Sequence, residues 1–254
     1  MRSFSRRAGL VAILMALVAF FAAPVASSAL ANNGGDIVPP VFPASESLPL
    51  AMTSVQGLLN SRLNQLHQLS VLVAKSKTLT IADQLALTSL IDSDASGLSL
   101  LEVSVRTAQS VAALNQDASQ MVLGYHVFSL ATAVVKDVIS ADKSRAQSQR
   151  LMRQIPEIEA TVSASGLRTN NASQASALLA QLPNRLEDVQ DVLDGVVASI
   201  LAISPSSVPA SLLTVAAAGA ATRSAASDIR AADAIVAEIT VIVANPTPAS
   251  HARR

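Results

Sequence analysis

The chain has 254 residues, of which half are hydrophobic, 14% charged and 2% aromatic, and it contains no cysteine. That length allows a core without covalent staples, and the missing cysteine excludes disulfides, thiolate metal sites and a thiol nucleophile. Lys plus Arg and Asp plus Glu balance at 18 each, which leaves out the basic excess of a nucleic-acid binder.

The first 31 residues read as a signal peptide. Arg2, Arg6 and Arg7 form a charged start, and an apolar run extends from Ala8 to about Ala23. Pro24 breaks the run, and Ala29-Leu30-Ala31 supplies a small-x-small cleavage site. The run is shorter than the roughly 20 residues of a membrane span, so membrane contact is expected only through this segment, and the expected location is secreted or cell-envelope associated. The alternative is an uncleaved N-terminal anchor. The segment carries three arginines and no acid, so residues 32–254 have 15 Lys and Arg against 18 Asp and Glu, a net charge of −3.

Residues 32–49 read as a flexible spacer, because Pro39, Pro40, Pro43 and Pro49 oppose a regular helix. Residues 50–244 read as one helical-bundle domain. Its expected fold class is all-α: an elongated antiparallel bundle of about five long helices. The first helix is predicted over about 50–76, with Met52, Val55, Leu59, Leu63, Leu66 and Val73 at three- and four-residue steps. The second opens at Thr80-Ile81-Ala82-Asp83, a capping box with Asp in place of Glu, and runs to about Thr107. The third is predicted unbroken from 111 to 164, with Gly124 and Pro156 as points of bending. From Met121 to Val135 it is uncharged and apolar all round, the pattern of a helix buried on every side. Residues 167–173 read as a polar loop. The fourth helix spans about 173–203 with a kink at Pro183, and the fifth ends near Val243. Asn245-Pro246-Thr247-Pro248 stops it, leaving 245–254 as a disordered tail.

Four short segments, Lys77-Thr78-Leu79-Thr80-Ile81-Ala82-Asp83, Gly97-Leu98, Gly124-Tyr125-His126-Val127-Phe128 and Ala141-Asp142, carry a resemblance. The chain resembles a group of secreted all-helical proteins of high-GC Gram-positive bacteria with the pattern L-T-x-A-D, G-L, a Y-R-V-Y-like box and A-x-D. His126 and Phe128 depart from that box, which has Arg and Tyr there. The resemblance implies export and a helical fold, and no activity.

Asp92-Ser93-Asp94-Ala95-Ser96-Gly97 copies the first half of a calcium loop, yet Val103 stands where the bidentate acid belongs. The competing reading is a continuous helix with Asp92, Ser96 and Ser99 on its wet face and Gly97 at a close contact. His67, His126 and His251 have no second ligand at metal spacing. No metal site, cofactor or catalytic residue is expected, and no nucleophile elbow or phosphate loop occurs. Glu187, Asp188, Asp191 and Asp194 form an acidic stripe. Lys143, Arg145, Arg150 and Arg153 form a basic one, and the two read either as ordinary solvated faces or as stripes that face each other, within one molecule or between two. Tyr125, His126 and Phe128 read either as core or as an anchor for a partner, which the sequence does not identify beyond a cell-envelope component or protein. If the leader is cleaved as read, N-terminal sequencing of the secreted protein begins at Asn32; a mature N-terminus at Met1 means an anchor.

Overall fold

The computed structural model describes residues 38–203 and 208–244. Residues 1–31, which read as a signal peptide, the start of the expected spacer and the expected tail 245–254 lie outside the described residues. Among the described residues every regular element is helical: α1 (Leu48–Lys75), α2 (Ile81–Thr107), α3 (Val111–Tyr125), a π turn (Val127–Ala131), α4 (Thr132–Ala164), α5 (Thr169–Leu179), α6 (Leu182–Leu201) and α7 (Val208–Ala244). The fold class is thus all-α, a helical bundle of five helical runs.

The chain divides into two compact units. Of the described residues, the first unit holds 38–143, 193–203 and 208–222, and the second holds 144–192 and 223–244. The core of the first unit starts on α1. Pro49 sits in the first turn of α1, where a missing N–H leaves no bond unmade, so the helix opens inside the sequence that reads as spacer. Ala51, Val55, Leu59, Arg62, Leu66, Leu69 and Val73 are its buried stripe. The spacer end is not loose: the Asn115 carboxamide on α3 accepts from the Phe42 N–H at 2.8 Å and donates to its carbonyl at 2.9 Å.

Thr80 caps α2 as the sequence predicts. Its hydroxyl accepts from the Asp83 N–H at 3.1 Å and donates to the Asp83 carboxylate at 2.6 Å. In the Glu version of the box the third side chain reaches back to the cap N–H. Asp is one methylene shorter, and here the Thr80 N–H donates to Asp142 of α4 at 3.2 Å instead. On α3, Ser110 is the cap, accepting from the Ala113 N–H at 3.2 Å. α1 packs on α2 and α3, and both α1 and α2 touch the π turn.

The predicted continuous third helix is interrupted. It is broken not at Gly124 but at His126, whose φ of +46° places it in the left-handed region. Before the break the buried stripe is Leu114, Asp117, Ala118, Met121 and Val122; after it, Val127, Leu130, Ala131, Val134, Val135 and Val138. Continuing the first stripe would bury 125, 128–129 and 132, of which Thr132 alone is buried. The second stripe is therefore displaced by two positions, roughly 200° at 3.6 residues per turn. Apolar residues cover all sides of the Met121–Val135 segment because two stripes out of phase meet there, and burial is not complete: Leu123 is 54% exposed. By length and composition the run Val111–Ala164 could cross a membrane, and half of its apolar window is buried inside the protein.

In the second unit, Leu151, Ile155, Ile158 and Val162 of α4 are buried, as are Leu182, Leu186 and Val189 of α6 and Ile229, Ala232, Val236 and Ile239 of α7. Ser148 on α4 donates to the Leu186 carbonyl at 3.1 Å and lies 3.4 Å from the Gln190 amide. Pro156 stays within α4. The expected kink at Pro183 is a helix boundary, since α5 stops at Leu179 and Pro183 lies in the first turn of α6. The expected loop 167–173 is mostly helix, because α5 begins at Thr169.

Losing an N-cap hydroxyl costs about 0.5–2 kcal/mol. Thr80→Ala is expected to lower the unfolding free energy by that amount in urea titrations, and Thr80→Ser to restore most of it.

Candidate functional site

The candidate anchor residues and the four segments that carry the resemblance all lie in the first unit. Gly97 of α2 lies against Tyr125 at the end of α3: a β-carbon at Gly97 would overlap the tyrosine ring and hydroxyl. Thr80 is bound to Asp142. Phe128 lies under the Arg62 guanidinium, 5.0 Å from the ring centroid. The four segments that carry the resemblance are thus tied to one another or to α1 by packing and hydrogen bonds.

Of the three candidate anchor residues, His126 is 4% exposed, and Tyr125 and Phe128 are half-buried. The His126 Nδ1 is buried with no hydrogen-bond partner, and its carbonyl accepts from the Leu130 N–H at 2.8 Å and the Ala131 N–H at 3.3 Å. The π turn is gripped from α1. Arg62 covers Phe128, and the Gln65 amide reaches the Thr132 hydroxyl at 3.2 Å, which itself donates to the Val127 carbonyl at 2.9 Å.

The calcium-loop look-alike is continuous helix within α2. Asp92, Ser96 and Ser99 are exposed, as the helical reading expects, while Asp94 is turned inward and 7% exposed. It lines a cavity of about 60 Å³ with Tyr125, Leu90, Leu130, Val134 and Ile200 among its walls. Asp83 and Asp117 are also buried, but each has a partner: Thr80 for the first, and the Ser104 hydroxyl at 3.0 and 3.1 Å for the second. Among the described residues no hydrogen bond or ion pair reaches Asp94. Burial therefore pushes its carboxyl up to about 6, because the walls penalise the charged form and nothing repays it.

The sequence does carry a signal for this carboxylate, and it is one of core position rather than of calcium chemistry. Leu87, Ile91, Asp94, Leu98, Leu101 and Val105 are one buried stripe, and Asp94 fills the place that the spacing reserves for a core residue. Arg62 fills the same kind of place on α1.

Glu187, Asp188, Asp191 and Asp194 are exposed, as are Lys143, Arg150 and Arg153, with Arg145 half-buried. Within the second unit Asp233 on α7 lies in the field of Arg150. Burial raises the pKa of Asp233 and the arginine partly lowers it. His67 is exposed on α1 and His251 lies outside the described residues. Among the described residues no group of three or more His, Asp or Glu side chains could hold a metal ion.

No family model matches the chain, and neither a curated protein nor a solved structure does.

Asp94 gives a pH signature with a definite sign. Its folded pKa lies above the ordinary carboxylate value of 3.8, so its contribution to stability is fully present below about pH 4. That contribution is lost as the pH rises through about 6, where the buried group must ionise. Asp94→Asn removes the loss. The variant should gain about 1–3 kcal/mol over the parent between pH 4 and 7, the upper figure holding without solvent screening. Paired urea titrations at the two pH values check this, and a constant difference contradicts the assignment.

Proposed function

We propose that this chain is an exported helical-bundle protein that works by surface contact, as a structural or binding module associated with the cell envelope. The observation that carries the reading is the outer face of α2. Ile81 and Leu100 are 79% and 75% exposed, and Leu85 and Val103 are exposed beside them on the same side of the helix. Between the two apolar ends the exposed side chains are Thr88, Ser89, Asp92, Ser93, Ser96 and Ser99, with a single charge among them. A helix face in water ordinarily carries mixed charges, and exposed apolar side chains gathered on one face mark contact surfaces. The signal-like first 31 residues support export. The near-absence of Lys, Arg and aromatic residues on this face argues against a lipid surface, which favours both.

The test compares the mature protein with a triple variant, Leu85→Lys/Leu100→Lys/Val103→Lys, for retention by the envelope fraction of the producing cell. All three side chains are exposed, so melting temperature should be unchanged while retention is lost. Equal retention of both proteins would contradict the assignment to this face. Co-sedimentation of the parent with protein-free liposomes would favour a lipid-surface role over a partner.

A further inference from the structure

We propose that the cavity beside α2 is a binding site for a short primary alkylammonium ion, with Asp94 as its counter-charge and the aliphatic walls enclosing its carbon chain. This goes beyond the surface-contact reading and does not depend on it. Three observations lead there. The first is the carboxylate itself, 7% exposed and lining the cavity, with no hydrogen bond or ion pair among the described residues. Buried carboxylates elsewhere in the same unit have partners, and an unpartnered buried anion is costly. A cation with N–H donors supplies both the charge and the hydrogen bonds that Asp94 lacks.

The second observation is the wall. Leu90, Leu130, Val134 and Ile200 are aliphatic, and among the described lining residues Tyr125 is the only other one with an ionisable side chain. Among the described residues no second charge stands there to balance Asp94, so the ligand must bring a positive charge on an otherwise apolar body. A bare divalent metal is a poor match, because calcium wants six to eight oxygens and magnesium an octahedral set. One carboxylate and one phenol fall well short of either.

The third is size. A cavity of about 150 Å³ holds benzene, and this one is about 60 Å³. The occupant therefore has few heavy atoms, on the order of ethylammonium or propylammonium. Tetramethylammonium is both too wide and without an N–H. With so few atoms the Kd is expected in about the millimolar range.

The experiment is a titration at pH 7.5 with propylammonium chloride, read by melting temperature and by the NMR shifts of the Tyr125 ring and the Leu130 and Val134 methyls. Potassium chloride, tetramethylammonium chloride and 1-propanol run in parallel. Propylammonium should raise the melting temperature in a saturable way and shift those resonances. Asp94→Asn should weaken the effect at least about tenfold, and so should lowering the pH to 5, where Asp94 takes up its proton. Asp94→Asn is expected to fold, since it is neutral and of the same shape; Ala131→Met, which fills the space and keeps the carboxylate, is a second route to the same loss. No response to propylammonium overturns the proposal. An equal response to potassium chloride makes it a salt effect, and an equal response to propanol makes it an uncharged void; either result also overturns it.

Discussion

A left-handed residue in the middle of a helical run has to be held there by its surroundings, and in this protein the phase of the whole of α4 depends on it. For an L-residue the left-handed conformation costs about 1–2 kcal/mol. Against that, burying Val127 and Leu130 contributes about 1.5–3 kcal/mol each. The Arg62–Phe128 contact adds up to about 2 kcal/mol when desolvated, and the Gln65–Thr132 bond adds about 1 kcal/mol. Burial decides the balance, and α1 directs it, because Arg62 and Gln65 lie one turn apart on the same helix and grip the same π turn. The break at His126 turns the buried stripe roughly half-way round, and α4 leaves it with its apolar residues facing the core.

The same break shapes the candidate site. Tyr125 is the last residue of α3, and its ring is seated where Gly97 leaves room on α2. Leu130, Ala131 and Val134, just beyond the break, close another side of the cavity around Asp94. Carboxylates in this interior fall into two kinds. Asp83, Asp117 and Asp142 spend their oxygens on caps and hydroxyls, which fixes how the helices meet. Asp94 has no such duty among the described residues. It is the group whose burial calls for an explanation in ligand chemistry rather than in folding.

Most of the fold is legible in the sequence because helices declare themselves by period. The five helical runs, the Thr80 cap and the wet face at Asp92, Ser96 and Ser99 all follow from spacing and capping chemistry. The break at His126 is not legible, because no Pro or Gly stands at that residue and an all-apolar segment hides a change of phase. Pro183 signals a disturbance, and the structure resolves it as a boundary because proline suits the first turn of a helix better than its middle. Arg62 and Asp94 are hidden for a different reason. A charged residue on an apolar stripe reads as a gap in the pattern, whereas the period of the helix puts both inside. The stripes of opposite charge are visible, yet the spacing does not show that Asp233, a residue of neither stripe, also lies in the field of Arg150, because that depends on tertiary packing.

Glycine and alanine at position 126 respond to the left-handed break with opposite sign, and that makes them its most direct test. Both substitutions remove the imidazole, so the loss of its packing cancels in their comparison. If residue 126 is left-handed, His126→Gly should be more stable than His126→Ala by about 1 kcal/mol, because only glycine adopts that conformation without steric penalty. In an unbroken helix alanine is favoured over glycine by about 1 kcal/mol. Equilibrium unfolding of the two variants side by side therefore decides it: a more stable glycine variant is the result expected here, and a more stable alanine variant would contradict the break and the change of phase built on it.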